Sequence, residues 1–200
     1  VTYDYVNDAS DRLDIYEYDE QRLNHTYSRF IAGNLNHIRY YIYNADRQTI
    51  SAHRYTGGVN NYNFYYSYNN NGFLTDYNCY DQDGALYWVY NYEYLNEKLS
   101  RNILTYTSGT VYTYDYEYND QGLQERRTCY TNGVFSYVDV YTYDSEGKLI
   151  IYIRYSNENE TAINYELIYE YNEMEYRSKI IQSRTTNNYV ATYEYEFYEF

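Results

Sequence analysis

Proline is absent from all 200 residues of this chain. Proline cannot donate to a β-ladder, so its absence suits a continuous sheet with few irregular loops. Cysteine occurs only twice, too sparsely for a disulfide-built scaffold. No apolar run approaches the ~20 residues that a membrane-spanning helix needs, and no signal-peptide pattern is visible. The chain opens on Val1 in place of Met, which fits a removed leader or a piece of a longer protein. Basic residues are scarce: 15 Lys and Arg against 29 Asp and Glu give a net charge of −14. Nucleic acid requires clustered Lys and Arg, so that class of partner is excluded, and anionic membrane surfaces are disfavoured. The plain consequence of the acidity is solubility of a wide sheet. Leu, Ile, Val and Phe make up only 39 residues, a share that with this charge normally signals disorder.

The 38 tyrosines reverse that expectation. Each ring can bury on the order of 150 Å² or more, and each hydroxyl needs a partner when it does. A stacked ladder of rings with hydroxyls at a wet margin meets both demands. The predicted core is thin and aromatic.

Tyrosine is also periodic. Tyr-x-Tyr pairs begin at Tyr16, Tyr41, Tyr66, Tyr92, Tyr116, Tyr141, Tyr169 and Tyr193, in steps of 24 to 28 residues. A fixed period in this range marks one supersecondary unit copied in tandem, so residues 1–200 are read as a single domain of about eight repeats. Tyr137, Asp139, Tyr141 and Tyr143 alternate with Val138, Val140 and Thr142, a strand pattern built from strand-favouring types. Tyr112, Tyr114, Tyr116 and Tyr118 would scatter round a helix but line up on a strand. Asp144-Ser145-Glu146-Gly147 then breaks the run, as a type I turn closed by a bulge requires. Asn69 to Gly72 and Asn119 to Gly122 repeat this turn. Asp19 to Arg22, Asn44 to Arg47 and Leu95 to Lys98 read as degraded versions. Second turns lie midway, at Gly57-Gly58, Asp81 to Gly84, Thr107 to Gly109 and Thr131 to Gly133. The prediction is all-β: about sixteen strands in a long antiparallel meander, coiled or solenoid-like, with one Tyr face and one largely wet face.

Candidate chemistry is thin. His25, His37 and His53 show no metal spacing. Asp81-Gln82-Asp83-Gly84 begins like a calcium loop but lacks the downstream bidentate Glu, and reads as a plain Asp/Gly turn. Cys79 and Cys129 occupy equivalent places two repeats apart, roughly four strand spacings or ~19 Å, so two free, semi-buried thiols are expected. Asn24-His25-Thr26 and Asn159-Glu160-Thr161 are N-glycosylation sequons. No phosphate loop and no Ser/His/Asp arrangement appears, so no catalytic residue, metal or cofactor is assigned.

Tyr141-Thr142-Tyr143-Asp144-Ser145-Glu146-Gly147-Lys148-Leu149 resembles the YD repeat of the RHS family, Y-x-Y-D-x-x-G-R-L. Tyr66 to Leu74, Tyr116 to Leu123 and Tyr16 to Leu23 resemble it less fully. The resemblance implies an extracellular or bacterial-surface β-repeat, which in RHS proteins winds into a hollow shell around a toxin.

Three functional readings follow, none enzymatic. The leading one is an extracellular or cell-surface structural protein that self-associates end to end into a filament or larger β-assembly. Its contacts would be the strand-like ends, with Val1, Tyr3, Tyr5, Tyr193, Tyr195 and Phe197. The second is a glycan-binding surface module stacking sugars on Trp88, Tyr90, Tyr112 and Tyr114. The third is a fragment of an RHS-type shell.

Overall fold

The structure, a computed structural model, describes residues 3–7, 12–172, 177–184 and 189–194. It is all-β. Two compact units divide the chain: residues 1–92 with 104–109, and residues 93–103 with 110–200. Within each unit the strand order is chain order.

The first unit holds β1 (Tyr3–Asn7), β2 (Arg12–Tyr18), β3 (Asn24–Ile31) and β4 (Asn34–Tyr43). It continues with β5 (Thr49–Thr56), β6 (Val59–Tyr68), β7 (Leu74–Asp81) and most of β8 (Leu86–Leu95). Each of these strands pairs antiparallel with the next. The residues of β9 (Lys98–Tyr106) fall partly in each unit. The second unit holds β10 (Val111–Tyr118), β11 (Gln124–Thr131), β12 (Val134–Tyr143) and β13 (Leu149–Tyr155). Then come β14 (Ile163–Tyr171), β15 (Arg177–Arg184) and β16 (Tyr189–Glu194), again antiparallel neighbours.

One turn device follows five of the Tyr-x-Tyr pairs. The carboxyl or amide Oδ1 of Asp19, Asn44, Asn69, Asn119 or Asp144 accepts the backbone N–H four residues on, at 2.8–3.0 Å. The backbone N–H of each donates to the carbonyl of that same residue at 2.9 Å. Closing this ring puts the residue three places on in the left-handed region, as at Gly72, Gly122 and Gly147. Arg22 and Arg47 adopt the same conformation, with φ of 62° and 64°. The turns at Asp19 and Asn44 are therefore intact, a correction to the reading of them as degraded. The Asx side chain fixes the turn and the fourth residue complies. At Leu95 to Lys98 the device is replaced by a two-residue turn, with Asn96 and Glu97 both at positive φ.

At the second Tyr of the pair, just before each such turn, the register shifts, as between Ile42 and Tyr43, Ser67 and Tyr68, and Thr142 and Tyr143. The extra residue is on the following strand, Ile50, Thr75 or Ile150, and such a bulge bends and twists the pairing locally. Beside it the phenol of the second Tyr meets a carbonyl. Tyr43 donates to Asn24 O (2.6 Å), Tyr68 to Thr49 O (2.9 Å) and Tyr118 to Leu99 O (2.9 Å). Tyr143 donates to Gln124 O (2.7 Å) and Tyr171 to Leu149 O (2.8 Å). The β3–β4 ladder starts at Thr26 opposite Tyr40, and the β11–β12 ladder at Arg126 opposite Val140. The accepting carbonyls of Asn24 and Gln124 lie just beyond those ends. Burial raises the pKa of the Tyr43, Tyr68, Tyr118 and Tyr143 hydroxyls, so they remain donors.

The aromatic face is as expected, but the opposite face is not wet at mid-strand. Thr26, Ser51, Thr128 and Val138 are buried there. Ser51 lies in register between Ile42 and Tyr65, and Val138 between Thr128 and Tyr155. Ser51, flanked by two larger cross-strand neighbours, is shaded by them. The core is thin: Ala52, Phe64 and Cys79 form a buried cluster edged by Tyr41, Tyr62, Tyr66, Tyr77 and Trp88. Cys79 and Cys129 are free thiols, buried rather than semi-buried. Cys79 lies opposite Phe64 and Cys129 opposite Tyr114.

A left-handed non-glycine residue costs about 1–2 kcal/mol against the right-handed alternative, and glycine removes that penalty. Arg22 is exposed, so Arg22→Gly is expected to raise stability by about 0.5–1 kcal/mol, read as a higher urea midpoint with an unchanged slope.

Candidate functional site

The first Tyr of a pair meets a cross-strand partner, and where that partner is Tyr the rings pack. Tyr16 faces Tyr27, Tyr66 faces Tyr77 and Tyr141 faces Tyr152. Their centroids lie 5.0, 4.5 and 5.3 Å apart. In the first unit the packing extends from Tyr77 to Trp88 and Tyr90, edge to face with Trp88 at 4.8 Å and stacked with Tyr90 at 6.3 Å.

Two residues before the pair stands the position with the most chemistry. In β12 it is Asp139, fully buried, between Arg127 on β11 and Arg154 on β13. Its Oδ2 accepts from Arg127 Nε (3.0 Å) and Nη2 (2.5 Å) and from Arg154 Nη2 (3.1 Å). Its Oδ1 accepts from Arg154 Nε (2.7 Å) and from the Tyr152 hydroxyl (2.8 Å). The Arg154 guanidinium also lies 3.9 Å from the Tyr137 ring centroid. Burial alone would lower the Arg127 pKa, but hydrogen bonding and attraction from Asp139 outweigh it and raise it. Arg154 is raised first by its hydrogen bond to the same carboxylate. The equivalent residue in β2, 125 positions earlier, is Asp14. It accepts from the Tyr27 hydroxyl and from Arg29 Nε, each at 3.0 Å.

His37 lies opposite Arg29 and packs edge to face on Tyr27 at 5.6 Å. It is buried. Burial, then the charges of Arg54, Arg29 and Arg39, push its pKa down to about 4. Burial likewise pushes the Cys79 thiol up to about 11. Among the described residues no group of three His, Cys, Asp or Glu side chains could hold a metal ion.

The proposed stacking residues divide between the units: Trp88 and Tyr90 in the first, Tyr112 and Tyr114 in the second. Trp88 and Tyr90 are half-buried and edge to face at 5.5 Å. Tyr112 lies opposite Thr131, and the Tyr114 ring carries the Arg127 guanidinium at 5.6 Å. Of the proposed assembly residues, Tyr3 and Tyr5 fall in β1 and Tyr193 in β16. Val1, Tyr195 and Phe197 lie outside the described residues. Asn24 is half-buried at the start of β3, its Oδ1 buried without a donor. Asn159 is exposed in the connection between β13 and β14. The position two residues before each pair was missed because its occupant changes from repeat to repeat, from Asp14 and Arg39 to Phe64 and Tyr114. Its signal was the 25-residue offset itself, applied to non-tyrosine residues.

No protein-family model matches the chain, and no curated protein matches it in sequence. Its fold is that of solved structures. A porin-like protein from Bacteroides uniformis aligns with 96% of this chain and 92% of its own, at 12% identity and a TM-score of 0.54. A TcdB2–TccC3–Cdc42 structure aligns with 92% of the chain at 13% identity and a TM-score of 0.45. A Photorhabdus luminescens Tc holotoxin pore does so at 13% identity and a TM-score of 0.43. The chain spans 12% of the length of those two toxin chains.

Two predictions follow from the charged groups. Removing one partner of a buried ion pair costs about 3–5 kcal/mol because the other charge is left uncompensated. Asp139→Ala is expected to lose that much in denaturant unfolding. His37 binds its proton less readily folded than unfolded, so the unfolded chain takes up more protons between pH 6.5 and about 4. The stability His37 contributes is complete above pH 6.5 and is lost as pH falls toward 4; His37→Gln is expected to flatten that slope in a pH series of melting curves.

Proposed function

We propose that this chain is a non-enzymatic structural element: a stretch of YD-repeat-type β-wall, outside the cell or at its surface, that needs no cofactor. The observation that carries the reading is the recurrence of one joint. In five repeats the second Tyr of the pair hydrogen-bonds a backbone carbonyl near the start of an earlier strand, at 2.6–2.9 Å. Such a joint spends the most frequent residue of the chain on holding repeat to repeat. The Asx-closed turns support the same reading, because they rebuild the Y-x-Y-D-x-x-G pattern even where Arg replaces Gly. The aromatic rings are likewise engaged with one another, as Tyr77 is with Trp88 and Tyr90.

End-to-end self-association is the competing proposal, and electron microscopy separates the two. Negative-stain images at neutral pH and moderate salt are expected to show uniform small particles. Long fibres would replace the wall reading with the filament.

A further inference from the structure

In five repeats the position two residues before the pair faces the residue 15 places on. It reads Asp14 opposite Arg29, Arg39 opposite Arg54, Phe64 opposite Cys79, Tyr114 opposite Cys129 and Asp139 opposite Arg154. Two of these pairs are charge-balanced and two are apolar. In the remaining one, two arginines lie opposite each other across β4 and β5. Like charges directly opposite destabilise a strand pair, so this arrangement needs an anion.

The chain supplies none. Arg39 and Arg54 make no hydrogen bond or ion pair among the described residues, and the Nε of each is buried without an acceptor. What holds them is aromatic: Arg39 lies 4.6 Å from the Phe64 centroid and Arg54 5.9 Å from that of Tyr62. The carboxylate on their own ladder row, Asp81, and Asp14 on the row beside it are committed elsewhere. Asp14 is held by Arg29 and Tyr27, and Asp81, opposite Tyr62, is folded back to accept the N–H groups of Asp83 and Ala85. The two arginines open into a cavity of about 300 Å³, lined also by Tyr62, Phe64, Tyr87 and Trp88. Every one of these residues belongs to the first unit.

Asp139 gives the template for what belongs there. A single carboxylate accepts from the guanidinium forks of Arg127 and Arg154 together, the geometry for which planar arginine is suited. The aromatic lining defines the remainder of the ligand. Ring faces take up other rings, and a cavity at the small end of the ligand-site range has room for one. We propose that Arg39 and Arg54 bind the carboxylate of a small acid whose ring, that of an acidic sugar or of an aromatic acid, lies against Tyr62, Tyr87 and Trp88. The site goes beyond a structural role: it makes this part of the wall a place where a ligand is held.

Trp88 is the only tryptophan in the chain, so fluorescence excited beyond the tyrosine absorption band reports on this cavity. The experiment titrates glucuronate, benzoate, glucose and sulfate into it. A saturable change is expected with glucuronate or benzoate, the tighter of the two identifying the ring, with glucose and sulfate at least ~10-fold weaker. Arg54→Gln is expected to weaken binding ~10-fold or more. Arg39→Asp recreates the pairing of Asp14 with Arg29; it is expected to raise the melting temperature by about 2–4 °C and abolish the response. The proposal is overturned by the absence of saturation with both acids, by an equal response to glucose or sulfate, or by a response that survives Arg54→Gln. A melting temperature lowered by Arg39→Asp would overturn it as well.

Discussion

A backbone carbonyl just past the end of a ladder has lost its strand partner, and a protein interior does not tolerate it unpaired. In this structure the phenol of the second repeat tyrosine answers that need, and much else is arranged so that it can. The ring must be long enough to cross from one strand to the next, which leucine is not. The tip must donate, which phenylalanine cannot. The bulge must fall opposite that residue, on the following strand, and it does in repeat after repeat. The acid or amide that opens the turn then sets where the bulge falls. Turn chemistry, register and side-chain identity are thus one linked choice, which is why the Tyr-x-Tyr-Asx string is what the sequence repeats.

With that frame constant, a single mid-strand place is free to vary. Asp, Arg, Phe, Tyr and Asp occupy it in five repeats without any change of register. Its consequences run from a dry cluster at Phe64, Ala52 and Cys79 to a saturated ion network at Asp139. The frame carries the fold and this row carries the individuality. A repeat architecture is well suited to that division, since each unit answers chiefly to its neighbours.

Most of the frame was legible in the sequence. Alternation gave the strands, Asx and Gly gave the turns, and tyrosine gave the period. Arg22 and Arg47 were misjudged because propensity at one residue was weighed above the two hydrogen bonds made by Asp19 and Asn44 to the far side of each turn. The burial of Ser51 escaped notice because it depends on the size of cross-strand neighbours, which periodicity along one strand does not contain. Asp139 and the pair Arg39 and Arg54 were invisible for a related reason. No local motif marks them, and their meaning arises only once register sets one strand beside another. The assembly residues sit at the ends of the chain, where Val1, Tyr195 and Phe197 fall outside the described residues.

The two cysteines take on a different significance in this setting. Each unit contains one, Cys79 in the first and Cys129 in the second, and each is buried on the aromatic face with its thiol held protonated by burial. A thiolate reacts and a thiol does not, so neither sulfur is chemically available while its strands stay paired. The rate at which a small alkylating reagent captures each one becomes a clock for how often that half of the protein opens. Nature has placed one such clock in each half, and together they make local stability measurable without altering a single residue.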